Sequence, residues 1–381
     1  MTGLSGKWHI GLYEEPAYMP SDADPRDPKI KKLLLDNYAS TIRSIKRCGF
    51  DYVAGAYGLN PGSGSKTPLK MFWLPDALHK HNMEWVTEGA LTFIEQNKHK
   101  PFFLYIAPTL PHAPPAPDSL RSDPRISAKG YLDEPPNVPL SRREIIERTK
   151  NMEAKHAGAY WLDVNIGVIL KKLDDLGLAE NTVVFLASDN GRTGKFCCYD
   201  GGARTFLLAR WKGRIPAGRV ANQLVSNVDL APTILDICGV KKPADLHLDG
   251  QSLKPLLTGG DYRRESVFIE ITTERAVVTD DGFKYIAVRY PPDIQKKVDQ
   301  GLKYDHWCRP MGSDESNPMG ADKAFPGYFD QDQLYDLNID PNEQKNLARD
   351  PQYRERLEAM KKSLREYSTR LPHQFGEFTS K

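Results

Sequence analysis

The sequence predicts an α/β fold: a doubly wound, mainly parallel sheet flanked by helices, followed by a smaller C-terminal subdomain with an antiparallel sheet and a helix. Helix and strand patterns alternate through the first two-thirds of the 381 residues, and closely spaced strand patterns follow. Alternation is typical of parallel α/β sheets, whereas clustered strands are typical of antiparallel ones. We therefore expect two domains, at residues 1–260 and 261–381.

The first elements are two helices, each followed by a strand. Helix patterns cover about residues 29–47 and 84–98, and the apolar segments after them are FDYVAGAYG (50–58) and PFFLYIAP (101–108). Because PFFLYIAP has no polar alternation, we expect this strand to be buried.

A long helix is then predicted over about residues 141–176, with Gly177 as its C′ residue. Apolar side chains spaced three and four residues apart predict one buried stripe on it. The stripe comprises Leu162, Ile166, Ile169, Leu173 and Leu176. The next segment, NTVVFLAS (181–188), is β-branched and apolar without alternation, which predicts a strand buried on both faces of a parallel sheet.

The last third contains the strand segments SVFIEI, RAVVTD, GFKYIAVRY and QLYDLNIDP, then a charged helix at about 351–367. Asp281-Gly282 stands between the second and third segments and is a hairpin turn signal. These patterns predict the antiparallel sheet and the terminal helix.

Composition excludes several classes of protein. The net charge is +2 without a basic run, so we expect neither a nucleic-acid partner nor a membrane-surface partner. No apolar stretch approaches the ~18–20 residues of a membrane span. The five cysteines show no CxxC spacing, so neither a disulfide framework nor a zinc motif is predicted.

Polar residues follow two of the predicted strands, where ligands bind in open α/β sheets. Asp189 and Asn190 follow TVVFLA and form a pair of oxygen donors suited to Ca²⁺ or Mg²⁺. The alternative is a simple turn, because Asn190-Gly191 is a strong turn dipeptide. His112 follows PFFLYIAP in a proline-rich loop and is either held in place there or simply exposed.

Further candidates precede and follow these residues. Lys7 and His9 project to one side of an extended segment, GKWHIG. Lys195 follows a glycine-containing turn and is either an anion ligand or a solvated lysine. Arg204 is either an anion contact or an ion-pair partner. Neither Cys197 nor the adjacent cysteine has a histidine partner nearby in sequence, which favours packing over nucleophilic roles.

The order of these segments resembles the sulfatase family, in the alkaline-phosphatase-like superfamily, along essentially the whole chain. The resemblance lies in GKWHIG, FFLYIAPTLPHAP, NTVVFLASDNG, GKFCCYDGGAR, LVSNVDLAPTILDICGV, LDGQSLKPLL and QLYDLNIDPNEQKNLA. Each segment alone is a weak signal, but seven in the family's order are specific. The resemblance implies a sulfuric ester hydrolase assisted by a divalent metal ion.

The resemblance also implies a role for each candidate. Lys7 and His9 match residues that contact the sulfate and the nucleophile, and Lys195 matches a lysine that bridges to the sulfate. His112 matches a sulfate-binding histidine that is a candidate proton donor to the leaving oxygen. Asp189 and Asn190 match two ligands of the divalent cation, usually calcium.

One family feature is missing from the sequence. The family's nucleophile is a formylglycine made from the first residue of a C/S-x-P-x-R motif, which lies upstream of GKWH together with an Asp pair that binds the metal. Neither Ser122-Asp123-Pro124-Arg125 nor Cys308-Arg309-Pro310 fits the motif. We therefore expect that the chain begins inside the catalytic domain and lacks the nucleophile.

Three functions remain open at this stage. The first is hydrolysis of a small-molecule or saccharide sulfate ester, with a sulfated carbohydrate ahead of an aryl sulfate. The second is a phosphonate or phosphodiester hydrolase of the same superfamily, and the third is a non-catalytic sulfatase-like protein that binds ligands. No signal peptide is recognised in these residues, although family members are often periplasmic, extracellular or lysosomal. The sequence predicts neither the compartment nor the oligomeric state.

Overall fold

A computed structural model describes residues 1–10, 16–62, 74–312, 319–371 and 375. It divides into two compact units, Met1–Thr182 and Val183–Lys381. The domain boundary that the sequence places at residue 260 is a different division and stays a prediction.

The first unit contains a parallel sheet surrounded by helices. Its elements are β1 (Thr2–Lys7), α1 (Pro28–Arg47), β2 (Tyr52–Tyr57), α2 (Met83–Asn97), β3 (Phe103–Ala107), α3 (Ala116–Leu120), β4 (Ile126–Ser127), β5 (Gly130–Tyr131), α4 (Arg142–Thr149) and α5 (Ala154–Asp175). Strands β1, β2 and β3 form one parallel sheet in the order β2-β1-β3. The helices α1 and α2 and the parallel pairing confirm the predicted fold class.

Strand β3 is more exposed than the sequence predicts. Phe103 is 40% exposed and Tyr105 is 49% exposed, whereas Leu4 on the central strand β1 is fully buried. The prediction of a buried strand at PFFLYIAP is therefore wrong. An apolar run does not reveal whether its strand lies in the middle of a sheet or outermost, and β3 is bonded to β1 alone among the described strands.

The long helix predicted over residues 141–176 is two helices, α4 and α5. The Thr149 hydroxyl donates to the carbonyl of Ile145 at 2.8 Å, and Glu153 is extended just before α5 begins. The buried face of α5 agrees with the predicted stripe only at Leu173, which is buried. The other buried side chains include Ala157, Trp161 and Asn165, and the Asn165 side-chain oxygen accepts a hydrogen bond of 2.6 Å from Thr87 on α2. Polar contacts with α2 therefore orient this helix. Gly177 follows it with φ = +68°, as predicted.

The second unit holds two antiparallel sheets. Its elements are β6 (Val184–Ala187), α6 (Asp200–Ala203), β7 (Leu207–Arg210), α7 (Leu230–Cys238), α8 (Lys254–Thr258), β8 (Ser266–Ile271), β9 (Glu274–Thr279), β10 (Phe283–Val288), α9 (Pro292–Asp299), α10 (Ala321–Ala324), β11 (Asp332–Asp336) and α11 (Arg354–Ser368). The sheet order β11-β10-β9-β8 confirms the predicted C-terminal antiparallel sheet. Gly282 has φ = +89° in the turn between β9 and β10, as the Asp-Gly signal predicts.

Strand β6 departs from its prediction. It pairs antiparallel with β7, Val184 opposite Arg210, and its residues are partly buried or exposed. The expectation that NTVVFLAS forms a parallel strand buried on both faces is therefore wrong, because an apolar run does not specify the direction of its partner.

The C-terminal helix packs on the antiparallel sheet through Leu357, Met360 and Leu364, which are buried with Tyr285 and Leu334. The aromatic rings of Phe268 and Tyr367 also stack with centroids 3.9 Å apart. No helix in the described part of the chain has the length and apolarity that a membrane crossing requires.

Candidate active site

Lys7 and His9 lie at the carboxyl end of β1, the central strand of the parallel sheet. Lys7 is partly buried and His9 is exposed. The neighbouring residue Gly6 has φ = +118°, and a Cβ there would lie 2.1 Å from the carbonyl oxygen of Ala107 on β3. Only glycine permits this close approach of the two strands. Gly6 therefore sets the position of the end of β1 against β3, and the two candidate side chains extend from that end.

A register shift sits at the same place on the other side of β1. Ser5 faces Ala54 on β2, but Lys7 faces Tyr57, so β2 contains one extra residue. Gly55 lies within the shift at φ = +53°, and the Trp8 amide then donates to the carbonyl of Tyr57 at 2.7 Å. Bulges of this kind re-aim side chains at the end of a strand.

His112 lies in the loop after β3, which is the parallel neighbour of β1. The side chain is exposed, and its backbone amide donates to the Thr109 carbonyl at 3.2 Å. Because β1 and β3 run parallel and pair Gly6 with Ala107, their carboxyl ends meet at one edge of the sheet. The structure thus brings the Lys7–His9 segment and the His112 loop to the same edge of the sheet.

A buried histidine, His81, holds this loop and was not predicted from the sequence. Its Nε2 lies 2.9 Å from the His112 carbonyl and 3.0 Å from the Pro114 carbonyl, and its Nδ1 lies 2.7 Å from the Thr109 hydroxyl. Carbonyl oxygens only accept, so Nε2 carries the hydrogen and Nδ1 of the neutral ring accepts from Thr109. His81 is therefore a positioning residue for the His112 loop. Nothing in the local sequence distinguishes it from the histidine two positions earlier.

We expect the support from His81 to weaken in acid. Burial lowers the pKa of His81 to about 4, against the opposing effect of its hydrogen bonds to the two carbonyls. Since the unfolded chain has the ordinary histidine pKa of about 6.5, it binds more protons than the folded chain below that pH. The contribution of neutral His81 to stability is complete above about pH 6.5 and falls by about 2 kcal/mol at pH 5.

Urea unfolding of the wild type and of His81→Gln at pH 7 and pH 5 measures this effect. The variant should be less stable at pH 7 but should lose less stability on acidification. His99→Gln, at an exposed histidine, is the matched control and should follow the wild type. Equal losses for His81→Gln and the wild type would contradict the assignment.

Asp189 and Asn190 follow β6 in the second unit, as predicted. The Asp189 carboxylate is exposed and accepts from the Asn190 amide at 3.0 Å, while the Ser188 hydroxyl donates to the Asn190 carbonyl at 2.9 Å. These bonds are those of a turn, and they leave carboxylate and amide oxygens to offer to a cation. Carboxylate and amide oxygens are the type of donor that calcium prefers. These two side chains, however, supply only two of the six to eight oxygens that Ca²⁺ takes.

Lys195 lies on a turn whose backbone packs directly against the backbone of α6. The Gly191 amide donates to the Gly202 carbonyl at 2.8 Å, and a Cβ at Gly202 would lie 2.1 Å from the Gly194 carbonyl oxygen. The Lys195 ammonium lies 5.2 Å from the centre of the Phe196 ring, whose residue has φ = +72°. The segment GKFCCYDGGAR is thus a compact unit that presents Lys195 partly buried.

A buried ion cluster anchors the first residue of α6. Lys284 is fully buried, and its ammonium lies 2.8 Å from carboxylate oxygens of both Asp200 and Glu343. The Asp200 amide also donates to Glu343 at 2.7 Å. Arg204 is an exposed ion-pair partner of Asp200 at 3.5 Å, which favours that reading over an anion contact.

The two adjacent cysteines have different surroundings. The Cys198 thiol is buried near the Ile269 carbonyl, which agrees with packing. Cys197 does have a histidine partner, because the fold brings His306 and Glu274 to its thiol. Burial, with the negative charge of Glu274, raises the pKa of Cys197 well above the ordinary thiol value. Unless a cation binds beside it, Cys197 is therefore a protonated thiol, which agrees with the sequence analysis in not making it a nucleophile.

The comparisons with known proteins agree with one another. The sulfatase profile matches residues 2–240, and the profile of the C-terminal region of N-sulphoglucosamine sulphohydrolase matches residues 190–299. A solved structure of a sulfatase from Pseudoalteromonas sp. superposes with a TM-score of 0.54 at 19% identity, covering 96% of this chain and 70% of that one. The fold is thus the alkaline-phosphatase-like α/β fold.

Curated sulfatases are similar in sequence. An ulvan-active sulfatase of Formosa agariphila is 31% identical over 204 residues, which cover 51% of this chain and 38% of that protein. Arylsulfatase A of Bos taurus is 27% identical over 374 residues, covering 91% of this chain and 64% of its own length. The chain belongs to the sulfatase family, and it spans less than two thirds of the length of these relatives.

Proposed function

We propose that the chain carries residues of the sulfate-ester site of a sulfuric ester hydrolase. The candidates in the first unit are Lys7, His9 and His112, and those in the second unit are Asp189, Asn190 and Lys195. Under this proposal residues 1–260 are the catalytic domain and residues 261–381 are the C-terminal subdomain.

The observation that carries the proposal is the edge of the parallel sheet. Lys7 and His9 leave β1 at the same edge where the His112 loop leaves β3. One ammonium and two imidazoles at adjacent carboxyl strand ends lie where open α/β sheets bind ligands. Glycine at position 6 and the buried His81 hold the backbone of the two segments, which supports the proposal.

The chemistry of these groups suits a sulfate ester. The ester carries negative charge that repels an attacking nucleophile, and the ammonium groups of Lys7 and Lys195 offset that charge. His112 is exposed at the loop and can give a proton to the leaving oxygen. His9, next to Lys7 on the strand end, would contact the sulfate or the attacking group.

Asp189 and Asn190 would hold a divalent cation, calcium ahead of magnesium. Such an ion supplies positive charge against the sulfate oxygens in the transition state. The two side chains provide hard oxygen donors directly after β6, and the remaining ligands would come from other groups, including the substrate.

For the substrate, we propose a sulfated carbohydrate ahead of an aryl sulfate. The relative that is 31% identical over 204 residues is, by its name, active on ulvan, which supports the first choice. Arylsulfatase A aligns over more of the chain at lower identity, which supports the aryl sulfate as the second choice.

Binding of a sulfated sugar tests the proposal. We expect galactose 6-sulfate to bind in calorimetry and unsulfated galactose not to bind measurably. Lys195→Ala should weaken the affinity about 10- to 100-fold, because a charged hydrogen bond contributes about 1.5–3 kcal/mol. Lys7→Ala should have an effect of similar size for the same reason.

The matched control is Lys171→Ala, which removes an exposed lysine paired with Asp175 on α5. Its affinity should equal that of the wild type. If the Lys7 and Lys195 variants bind as tightly as this control, the two lysines do not form the sulfate site. Repeating the titration with 4-nitrophenyl sulfate separates the carbohydrate from the aryl preference.

A further inference from the structure

Three buried side chains converge in the second unit, away from the residues assigned to the sulfate. In the part of the chain that the structure describes, the Cys197 thiol, a Glu274 carboxylate oxygen and a His306 ring nitrogen all lie within 4.8 Å of one another. Cys197 is 4% exposed, and Glu274 and His306 are fully buried. Sulfur, oxygen and nitrogen donors that meet in a closed interior could hold a metal ion.

The three donors come from separate segments. Cys197 belongs to the turn before α6, Glu274 is the first residue of β9, and His306 lies in the loop after α9. Cys197 and Glu274 are 77 residues apart along the chain, and Glu274 and His306 are 32 residues apart. No local sequence motif therefore predicts the cluster. This is why the cysteine spacings showed no zinc pattern.

His306 and Glu274 are each held by a second contact through the atom that faces away from the cluster. His306 Nε2 donates to the Tyr328 carbonyl at 2.9 Å, and the two rings stack with centroids 4.0 Å apart. The outer oxygen of Glu274 accepts from the Cys198 amide at 2.7 Å. Metal-binding histidines characteristically donate their second ring N–H to a carbonyl or a carboxylate, and bound carboxylates are themselves hydrogen-bonded.

The inner atoms are His306 Nδ1 and Glu274 Oε1, which contact each other. Among the described residues, Glu274 forms no ion pair with a lysine or arginine, although it is fully buried. A proton shared with His306 is one way to compensate the carboxylate. A divalent cation is another way to compensate the Glu274 carboxylate. Its two positive charges would balance the carboxylate and the thiolate of Cys197, while the imidazole of His306 stays neutral.

We propose that Cys197 Sγ, Glu274 Oε1 and His306 Nδ1 bind one transition metal ion, and the donor set selects Zn²⁺. Thiolate sulfur and imidazole nitrogen suit zinc, whereas calcium and magnesium prefer oxygen donors throughout. Three protein ligands leave a fourth tetrahedral position for a water molecule.

The role of this ion is structural. It links the turn before α6, the start of β9 and the loop after α9, and Cys197 follows Lys195 by two residues. A metal ion there would stiffen the segment that presents Lys195. Its three ligands are not among the residues assigned to the sulfate.

The test is the zinc content and ligand shell of the full chain. Protein expressed with zinc and then dialysed should retain about one Zn²⁺ per chain by mass spectrometry of the metal. X-ray absorption at the zinc edge should show one sulfur at about 2.3 Å with nitrogen and oxygen ligands at about 2.0–2.1 Å. Replacing zinc by Co²⁺ should give a thiolate-to-cobalt charge-transfer band.

Cys197→Ala and His306→Gln should lose the zinc, and Cys197→Ala should lose the cobalt band. Cys198→Ala is the matched control: its thiol is equally buried but points to the Ile269 carbonyl, so it should keep both. If a variant fails to fold, the zinc content and the X-ray absorption spectrum of the wild type still test the proposal. Wild-type protein without retained zinc, or with a shell lacking sulfur, would overturn the proposal and leave Glu274 and His306 as a proton-linked pair.

Discussion

The purified 381-residue chain is expected to hydrolyse aryl sulfates and sulfated sugars about 10⁴- to 10⁶-fold more slowly than a sulfatase that carries formylglycine. The sequence contains no C/S-x-P-x-R motif from which that nucleophile is made. Removing the nucleophile from an enzyme that acts through a covalent intermediate costs this much in another hydrolase class, while the charged groups that remain give a residual acceleration. Sulfate-ester binding should persist, because Lys7, His112 and Lys195 are present.

The measurement is a turnover assay with 4-nitrocatechol sulfate and a panel of sulfated sugars, with arylsulfatase A as the positive control. Binding of the same sugars should be followed in parallel by calorimetry. Turnover comparable to the positive control, abolished by Lys195→Ala, would place the nucleophile within these 381 residues. Such a result would contradict the expected loss of activity but would support the sulfate site.

The second large effect is expected at Lys284. Lys284→Met should lower the free energy of unfolding by about 3–5 kcal/mol, because it leaves the buried Glu343 carboxylate without a cation and leaves Asp200 with only the exposed Arg204. Since Asp200 begins α6, on which the Lys195 turn packs, the variant should also bind sulfated sugars less tightly. Chemical denaturation at pH 7 measures the stability change.

Lys362→Met is the matched control on α11, where the lysine is exposed and its nearest carboxylate lies 4.0 Å away. It should change stability by less than about 0.5 kcal/mol. Neutralising the two carboxylates in Lys284→Met, with Asp200→Asn and Glu343→Gln, should recover part of the loss. If Lys284→Met is as stable as the control, the buried cluster does not hold the unit together.

Local patterns predicted the elements well where one face of an element is buried. Helices α1 and α2 follow from their periodicity, and the hairpin of β9 and β10 follows from Asp281-Gly282. The family resemblance, confirmed by the comparisons, came from the order of several weak segments rather than from any one of them.

The predictions that were wrong share one physical cause. Each concerns a feature that depends on contacts between residues far apart in the sequence. Whether β3 is central or outermost, and whether β6 pairs parallel or antiparallel, depends on neighbours that an apolar run does not encode. The face of α5 was mistaken because Trp161 and Asn165 are buried through polar partners on α2. His81 and His306 acquire their roles only from carbonyls and carboxylates that the fold brings to them.

The turn that carries Lys195 limits which amino-acid substitutions the protein tolerates during evolution. Gly191 and Gly202 meet neighbouring carbonyls so closely that a Cβ would lie 2.0 and 2.1 Å from oxygen. The contact is therefore made by main-chain atoms that every amino acid shares. Neighbouring side chains can therefore be substituted without moving this contact, and Lys195 stays in place. The same geometry makes the two glycines nearly irreplaceable.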